Sequence, residues 1–164
     1  MKIALTTDHA GFSQAKELTE FLEDLGYQVE YFGPKSMQPS DDYPKFIAPA
    51  AKAVASGKCR LGIILGGSGQ GEAMSANRIQ GVRCAVYYGP AVAKHVIDAE
   101  GHVSHDTHEV VKLSRQHNDA NMLSLAARFV GVDDMKHVIK LWLGTGFSNE
   151  PRHVRRIAEL DEEV

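Results

Sequence analysis

The segment with the most chemical content is a glycine-rich loop, residues 66–72, with the sequence Gly-Gly-Ser-Gly-Gln-Gly-Glu. It follows an apolar run typical of a buried strand and precedes a short helical pattern. Backbone N–H groups and the positive end of a helix would therefore face a negatively charged oxygen. A carboxylate beside such a loop can take a proton from a carbon next to a carbonyl group. Glu72 is thus a candidate general base; the alternative is that it only complements the helix dipole at the surface.

Three familiar glycine-loop motifs do not fit this segment. A dinucleotide-binding GxGxxG would need glycine where Glu72 or Met74 stands, and a P-loop would need lysine where Glu72 stands. A hydrolase elbow GxSxG would need glycine where Gln70 stands. We therefore expect neither a nucleotide cofactor nor esterase chemistry at this loop.

Two histidines lie next to other candidate strands. Asp8-His9 follows the first apolar run, and His9 could bind a phosphate or cap the next helix. His117-Asn118 stands among amides and carboxylates just before the last strand. A histidine in such a setting can move a proton between sugar ring oxygens, or it can simply form a polar turn.

Two arginines share one face of the last helix. Arg152 and Arg156 are spaced i, i+4, and two guanidinium groups on one face can hold a phosphate. The alternative is a solvated face that pairs with acidic residues such as Glu159. As a phosphate site, this pair would have to reach a pocket formed by much earlier loops, which could happen across a dimer interface.

The elements that position these residues alternate between strand and helix. Apolar runs at 2–7, 28–32, 60–65, 82–87 and 122–125 predict strands, and periodic segments at 12–25, 44–55, 72–79, 133–143 and 151–162 predict helices. Asp41 or Asp42 could cap the helix at 44–55. Right-handed crossovers then give an α/β fold: a three-layer α/β/α sandwich around a parallel sheet of about five strands, in a single domain over 1–164. Ligands bind such sheets at the carboxyl ends of the strands.

The composition excludes several classes of partner. The 164 residues are 43% hydrophobic and 24% charged with a net charge of −3, so no positive field would attract nucleic acid or an anionic membrane. No apolar run approaches the length of a membrane span, and no secretory signal is visible. We expect a cytoplasmic protein in which Cys59 and Cys84 are buried structural thiols.

Five motifs in order resemble one family, that of ribose-5-phosphate isomerase B, which also holds galactose-6-phosphate isomerase subunits and allose-6-phosphate isomerase. The motifs are Asp8-His9-Ala10-Gly11, Asp42-Tyr43-Pro44, Gly67-Ser68-Gly69-Gln70-Gly71-Glu72 with Ala76-Asn77, Arg115-Gln116-His117-Asn118-Asp119, and Arg152-His153 with Arg156. Together they cover nearly the whole chain apart from residues 91–112.

The resemblance implies a Rossmann-like fold and an aldose–ketose isomerase that works on a small sugar phosphate through an enediolate, with no metal and no cofactor. It also implies a homodimer or homotetramer whose active sites combine residues of two chains, with the last helix packed across the dimer. One branch of the family uses as its base a cysteine at the position of Gly66, and the other uses a glutamate that matches Glu72. The base is therefore assigned to Glu72, and neither cysteine is given a catalytic role.

The resemblance also implies roles for the remaining site residues. Ser68 would steady the base, His117 would open the sugar ring, and Tyr43 would lie near the sugar. The other implied contacts are loop amides of Gly67, Gly69 and Gly71 to the enediolate oxygen, Asp8 and Asn118 to sugar hydroxyls, and His9, Arg152 and Arg156 to the phosphate.

The departure from the family is the segment 91–112, which is longer than the resemblance leads us to expect. His102, His105 and His108 recur every third residue there, a spacing that could place metal ligands on one side of a helix. A surface excursion that caps the pocket or adds to an interface is the alternative we favour, and no metal is expected. The leading hypothesis is interconversion of ribose 5-phosphate and ribulose 5-phosphate. Because the segment precedes His117 and could reshape the sugar site, a hexose 6-phosphate of the allose or galactose type is the first alternative. A non-catalytic sugar-phosphate binding protein is the second alternative.

Overall fold

The computed structural model describes residues 1–162 and contains five strands and six α-helices in that range. The strands are β1 (Lys2–Thr7), β2 (Gln28–Tyr31), β3 (Leu61–Gly66), β4 (Cys84–Tyr87) and β5 (Met122–Ala126). The helices are α1 (Phe12–Asp24), α2 (Pro44–Ala55), α3 (Gln70–Ala76), α4 (Glu109–Gln116), α5 (Val132–Gly144) and α6 (Pro151–Leu160). Within residues 1–162, no helix is long and apolar enough to span a bilayer.

The strands form one parallel sheet in the order β2-β1-β3-β5-β4. This confirms the predicted α/β fold with its parallel five-stranded sheet. The register pairs Gly62 with Met122 and Gly66 with Ala126, so β3 and β5 end together and begin within one residue of each other. Their carboxyl ends therefore share one edge of the sheet, and their amino ends share the opposite edge.

Helices cover both faces of the sheet, which explains the unbroken apolar character of β3. Ile63 and Leu65 belong to the core beneath α1, α4 and α5, whereas Ile64 belongs to the core beneath α2. A strand buried on both faces has no need of polar alternation. Trp142 of α5 is fully buried, and its indole N–H donates to the hydroxyl of Ser114 at 3.2 Å.

Several predicted boundaries differ from the structure. α3 begins two residues earlier than predicted, because Gly69 takes a left-handed conformation (φ 74°) that ends the loop there. α6 ends at Leu160 rather than 162, and α4 was not predicted. Residues 88–108 form neither helix nor strand, so His102, His105 and His108 do not share a helix face.

Candidate active site

The carboxyl ends of β1 and β3 open into a cavity of about 250 Å³. It is lined by Asp8, His9, Ala10, Tyr43, Gly67, Ser68, Gly71, Glu72 and Arg128. Most of the residues singled out in the glycine loop and in the first loop are therefore brought together in one chain. Parallel α/β sheets bind ligands at this edge.

Glu72 is the buried carboxylate of the cavity. Only 5% of the residue is exposed, and a Cβ built on Gly66 would overlap its carboxyl carbon and both of its oxygens. The carboxyl group thus fills the space that a side chain at position 66 would occupy. Burial raises the pKa of Glu72; its own backbone N–H lowers it, the Asp8 charge raises it, and the charges of His9 and Arg128 lower it. A carboxylate that is poorly solvated is a stronger base than an exposed one.

The glycine loop is tied to the neighbouring strand. The hydroxyl of Ser124 donates to the carbonyl of Gly69 at 2.7 Å, and the carbonyl of Gly66 accepts the N–H of Ala127 at 2.8 Å. A Cβ on Gly69 would lie 2.9 Å from the Ser124 hydroxyl, so both its positive φ and the close approach require glycine. The loop is consequently a rigid element, and it presents its amides next to the first turn of α3.

Tyr43 and Ser68 flank this loop. Tyr43 precedes Pro44 at the start of α2, and a Cβ on Gly71 would lie 2.9 Å from the tyrosine hydroxyl. The hydroxyl of Ser68 accepts a long hydrogen bond from the N–H of Gln70 at 3.4 Å. Both hydroxyl groups therefore stand at the cavity wall beside the carboxylate of Glu72.

His9 is held by a carboxylate that the sequence reasoning did not place in the site. Its ring Nδ1 lies 2.7 Å from Oδ1 of Asp41, and its backbone N–H donates to the same oxygen at 3.2 Å. The Asp41 side chain is only 6% exposed, and it does not cap α2 as expected. Because an ionised carboxylate only accepts, the short contact assigns the ring proton to Nδ1. Asp41 could not have been found from sequence, since it lies 32 positions from His9.

Two carboxylates and an imidazole, those of Asp8, Asp41 and His9, form the one cluster of possible metal ligands found within residues 1–162. One potential ligand atom of each residue, a carboxylate oxygen or a ring nitrogen, lies within 4.8 Å of the other two. The His9 and Asp41 atoms are hydrogen bonded directly, which leaves no room for an ion between them. The Asp8 carboxylate also accepts the N–H of Ala10 at 2.9 Å. The cluster is therefore explained as a hydrogen-bonded group.

Arg128 is the second residue that sequence reasoning missed. It follows β5, and a Cβ on Gly67 would lie 3.5 Å from its guanidinium group. Within residues 1–162, no carboxylate forms a salt bridge with it. An exposed arginine at the cavity wall, with its hydrogen-bond donors uncommitted, is suited to a phosphate. The sequence feature that could have identified Arg128 is its position just after the last strand, at the edge of the sheet where ligands bind.

The other predicted site residues lie at the opposite edge of the sheet. His117 is the C-cap residue that follows α4, a few residues before β5 begins, and Asn118 comes next. The two edges are separated by the length of the strands, about 13 Å for four residues. The structure therefore does not bring His117 and Asn118 together with Glu72 within one chain.

His117 is instead grouped with the start of α6. Its ring packs against that of His153, with the centroids 4.3 Å apart, and Arg152 donates to the His153 ring at 3.3 Å. Burial lowers the pKa of His153, and the neighbouring charges of His117 and Arg152 lower it further. Arg156 is exposed one turn further along α6. His117, Asn118, Arg152 and Arg156 thus form a second, polar group that is remote from the cavity.

The two cysteines lie outside the cavity; Cys59 is buried as expected, whereas Cys84, on the edge strand β4, is only half-buried. Cys59 is 1% exposed in the core beneath α2. Burial raises the pKa of the Cys84 thiol to about 12, so that this thiol is protonated at neutral pH.

Known proteins show the same fold and related sequences. The chain matches the Ribose/Galactose Isomerase family over residues 3–102 and 101–160, two stretches that meet inside the long segment before α4. Ribose-5-phosphate isomerase B of Mycolicibacterium paratuberculosis is 33% identical over 162 residues, which cover 99% of this chain and 91% of that protein. The Escherichia coli ribose-5-phosphate isomerase B is 33% identical over 156 residues, covering 95% of this chain and 91% of that protein.

Solved structures agree with these sequence relatives. Ribose-5-phosphate isomerase B of Clostridium thermocellum superposes with a TM-score of 0.83 at 34% identity, covering 98% of this chain and 95% of that one. The Mycoplasma genitalium enzyme, solved with bound ribulose 5-phosphate, gives a TM-score of 0.82 at 29% identity, covering 97% of this chain and 93% of that one. The chain therefore belongs to the Ribose/Galactose Isomerase family and is an isomerase, an intramolecular oxidoreductase.

Proposed function

We propose that this protein interconverts ribose 5-phosphate and ribulose 5-phosphate through an enediolate, with Glu72 as the base. The observation that carries the proposal is the desolvated carboxylate of Glu72 beside a rigid loop of backbone amides. The matches to proteins named ribose-5-phosphate isomerase B support the choice of a pentose phosphate.

The chemistry is a proton shift between adjacent carbons. In the open-chain aldose, Glu72 takes the proton from C2 while the C2–H electrons form the C1–C2 double bond and negative charge develops on O1. N–H groups of the 66–72 loop stabilise that charge. The O2 proton then moves to O1, the O2–H electrons form the C2 carbonyl, and the electrons of the C1–C2 double bond take the proton from Glu72 at C1, which leaves the neutral ketose and the Glu72 carboxylate. The burial that raises the pKa of Glu72 makes it a better base in the first step and still a competent acid in the second.

Charged groups at the same cavity suit the rest of the substrate. Asp8 is 5% exposed and reaches the cavity wall, where its second oxygen can accept from a sugar hydroxyl. The contact of Nδ1 with Asp41 leaves Nε2 as the ring nitrogen of His9 for a ligand, which donates to a phosphate when it also carries a proton, and Arg128 adds a guanidinium group. These two side chains are suited to the phosphate.

The site is completed by a second copy of the chain. Ring opening requires His117, and Arg152 and Arg156 would add to the phosphate contacts, yet all three lie at the opposite sheet edge from Glu72. A symmetric dimer that places this edge of one chain over the cavity of the other would build two complete sites. We therefore propose a homodimer, or a tetramer made of such dimers, with shared active sites.

The first test is isomerisation of ribose 5-phosphate, with allose 6-phosphate and galactose 6-phosphate in parallel, for wild type and Glu72→Gln. We expect the pentose phosphate to be the best substrate and Glu72→Gln to lose on the order of 10³-fold or more in kcat. The matched control is Glu20→Gln, an exposed carboxylate on α1, which should retain wild-type activity. Faster turnover of a hexose phosphate would reject the pentose assignment, and an active Glu72→Gln enzyme would reject the base.

A mixing experiment tests the shared site. Glu72→Gln and His117→Ala are each expected to be inactive, but co-expressed chains would form mixed dimers with one intact site each. Random pairing then restores about one quarter of wild-type activity. If each chain carried its own complete site, the mixed preparation would stay as inactive as its parents.

A further inference from the structure

The long segment before α4 folds into a loop with a defined tip. The N–H of Ala91 donates to the carbonyl of Thr107 at 2.8 Å and closes the loop at its base. The N–H of Ile97 donates to the carbonyl of His102 at 2.8 Å and closes the tip, which we define as residues 98–102. The function proposed above makes no use of this loop.

One carboxylate holds the tip together. Asp98 accepts the backbone N–H of Glu100 at 3.1 Å and that of His102 at 3.0 Å, and it also pairs with the His102 ring. Gly101 has a φ of 87°, which allows the tight turn. These contacts hold the backbone of the tip in one turn, from which the Glu100 side chain extends.

The Glu100 side chain contacts Arg152, the candidate phosphate ligand. The two carboxylate oxygens of Glu100 lie 2.9 and 3.0 Å from the two terminal nitrogens of the guanidinium group. Glu150 adds a third contact, at 2.8 Å. A two-point pair between a guanidinium group and a carboxylate uses the same donors that a phosphate would take.

We propose that Glu100 is a built-in competitor for the phosphate at Arg152 and so sets the affinity for the substrate. The proposal rests on the proposed function, in which Arg152 binds phosphate. The side chains of Glu100 and Arg152 are 53% and 24% exposed, so solvent reaches the pair mainly from the Glu100 side, from which an incoming anion can displace the carboxylate. A phosphate dianion carries more charge than a carboxylate and exchanges with Glu100 at the guanidinium group. Glu100 is remote from the reacting carbons, so it acts on binding and leaves the chemical step unchanged.

The test compares Glu100→Gln with wild type by calorimetric titration of inorganic phosphate at fixed ionic strength, and by isomerisation kinetics. We expect Glu100→Gln to bind phosphate about two- to five-fold more tightly and to lower KM by the same factor, with kcat unchanged. Asp98→Ala, which releases the tip, should act in the same direction. The matched control is Glu159→Gln, an exposed carboxylate of α6 that pairs with Arg155 and removes the same charge. It should leave phosphate affinity as it is.

Two results would overturn the proposal. Unchanged or weaker phosphate binding by Glu100→Gln would show that Glu100 does not compete, or that it holds Arg152 in its binding position. A gain in phosphate affinity from Glu100→Gln that persists in the Arg152→Met background would show a general effect of the removed charge. If wild type turned over none of the sugar phosphates, the proposed function would fail, while the phosphate titration would still decide the competition between Glu100 and phosphate.

Discussion

A methyl group at Gly66 should inactivate the enzyme while leaving its fold intact. Gly66 ends β3, and a Cβ there would overlap the carboxyl carbon and both oxygens of Glu72. The overlap involves the free end of a side chain and not the backbone of a neighbouring element. The carboxyl group, and not the sheet, must therefore move in Gly66→Ala.

The size of that movement sets the expected loss. To reach ordinary van der Waals contact, the carboxyl group has to retreat by about 1 Å or more. Misplacing a catalytic group by about 1 Å costs on the order of 100-fold in rate. We expect kcat of Gly66→Ala to fall by at least that factor, with Tm within a few degrees of wild type.

The assay is isomerisation at saturating ribose 5-phosphate, with thermal unfolding of the same preparation. Gly144→Ala is the control, because a Cβ at this position in the last turn of α5 would meet nothing within 4 Å. Activity close to wild type would refute the reasoning, since Glu72 would then work without its place beside Gly66. An unfolded Gly66→Ala variant would refute it as well, because the strain would then lie in the sheet.

Three further outcomes follow from the structure. Because burial raises the pKa of Glu72, ionisation of this group destabilises the fold once the pH rises above its ordinary pKa of 4.5. Glu72→Gln should therefore raise the Tm measured by calorimetry at pH 8 and leave it unchanged below pH 4.5. The kcat of the wild type should fall as the pH is lowered through the raised pKa. Asp41→Leu removes the hydrogen-bond acceptor of the His9 ring and should raise KM about ten-fold, whereas Asp41→Asn keeps an acceptor and should stay near wild type. The control is Asp42→Asn, an exposed carboxylate paired with Lys45, whose kinetics should also match wild type. Trp142→Ala should lose about 3–5 kcal/mol of unfolding free energy in urea, while Phe129→Ala, 72% exposed, should lose little; equal losses would contradict the burial argument.

The fold could be predicted because its signals are local. Strand and helix alternate along the chain, and β3 is apolar throughout because helices cover both faces of the sheet. α4 escaped prediction because its eight residues follow a polar tract and present only one buried apolar side chain, Val111. Its position is decided by packing against the sheet and α5, which no local pattern records.

The candidate site divides in the same way. The loop and Glu72 could be proposed from sequence because they lie within a few residues of one another. Asp41 and Arg128 could not be proposed in this way, because each lies far along the chain from its neighbours in the site and reaches them only through the order of the strands in the sheet. The pairing of Gly66 with Ala126 carries the chain after β5 past the glycine loop, and this brings Arg128 to the cavity.

The parallel sheet itself explains why one chain would not suffice for the proposed reaction. In a parallel sheet every loop that follows a strand lies at one edge, and every residue that leads into a strand lies at the other. Glu72 belongs to the first class and His117 to the second, so no adjustment of side chains within the chain can bring them into contact. A second copy related by a two-fold axis removes this constraint for both sites, because each chain then places the edge formed by the amino ends of its strands over the cavity of the other chain. On this reasoning, the base and the ring-opening histidine act in one site only when two chains associate.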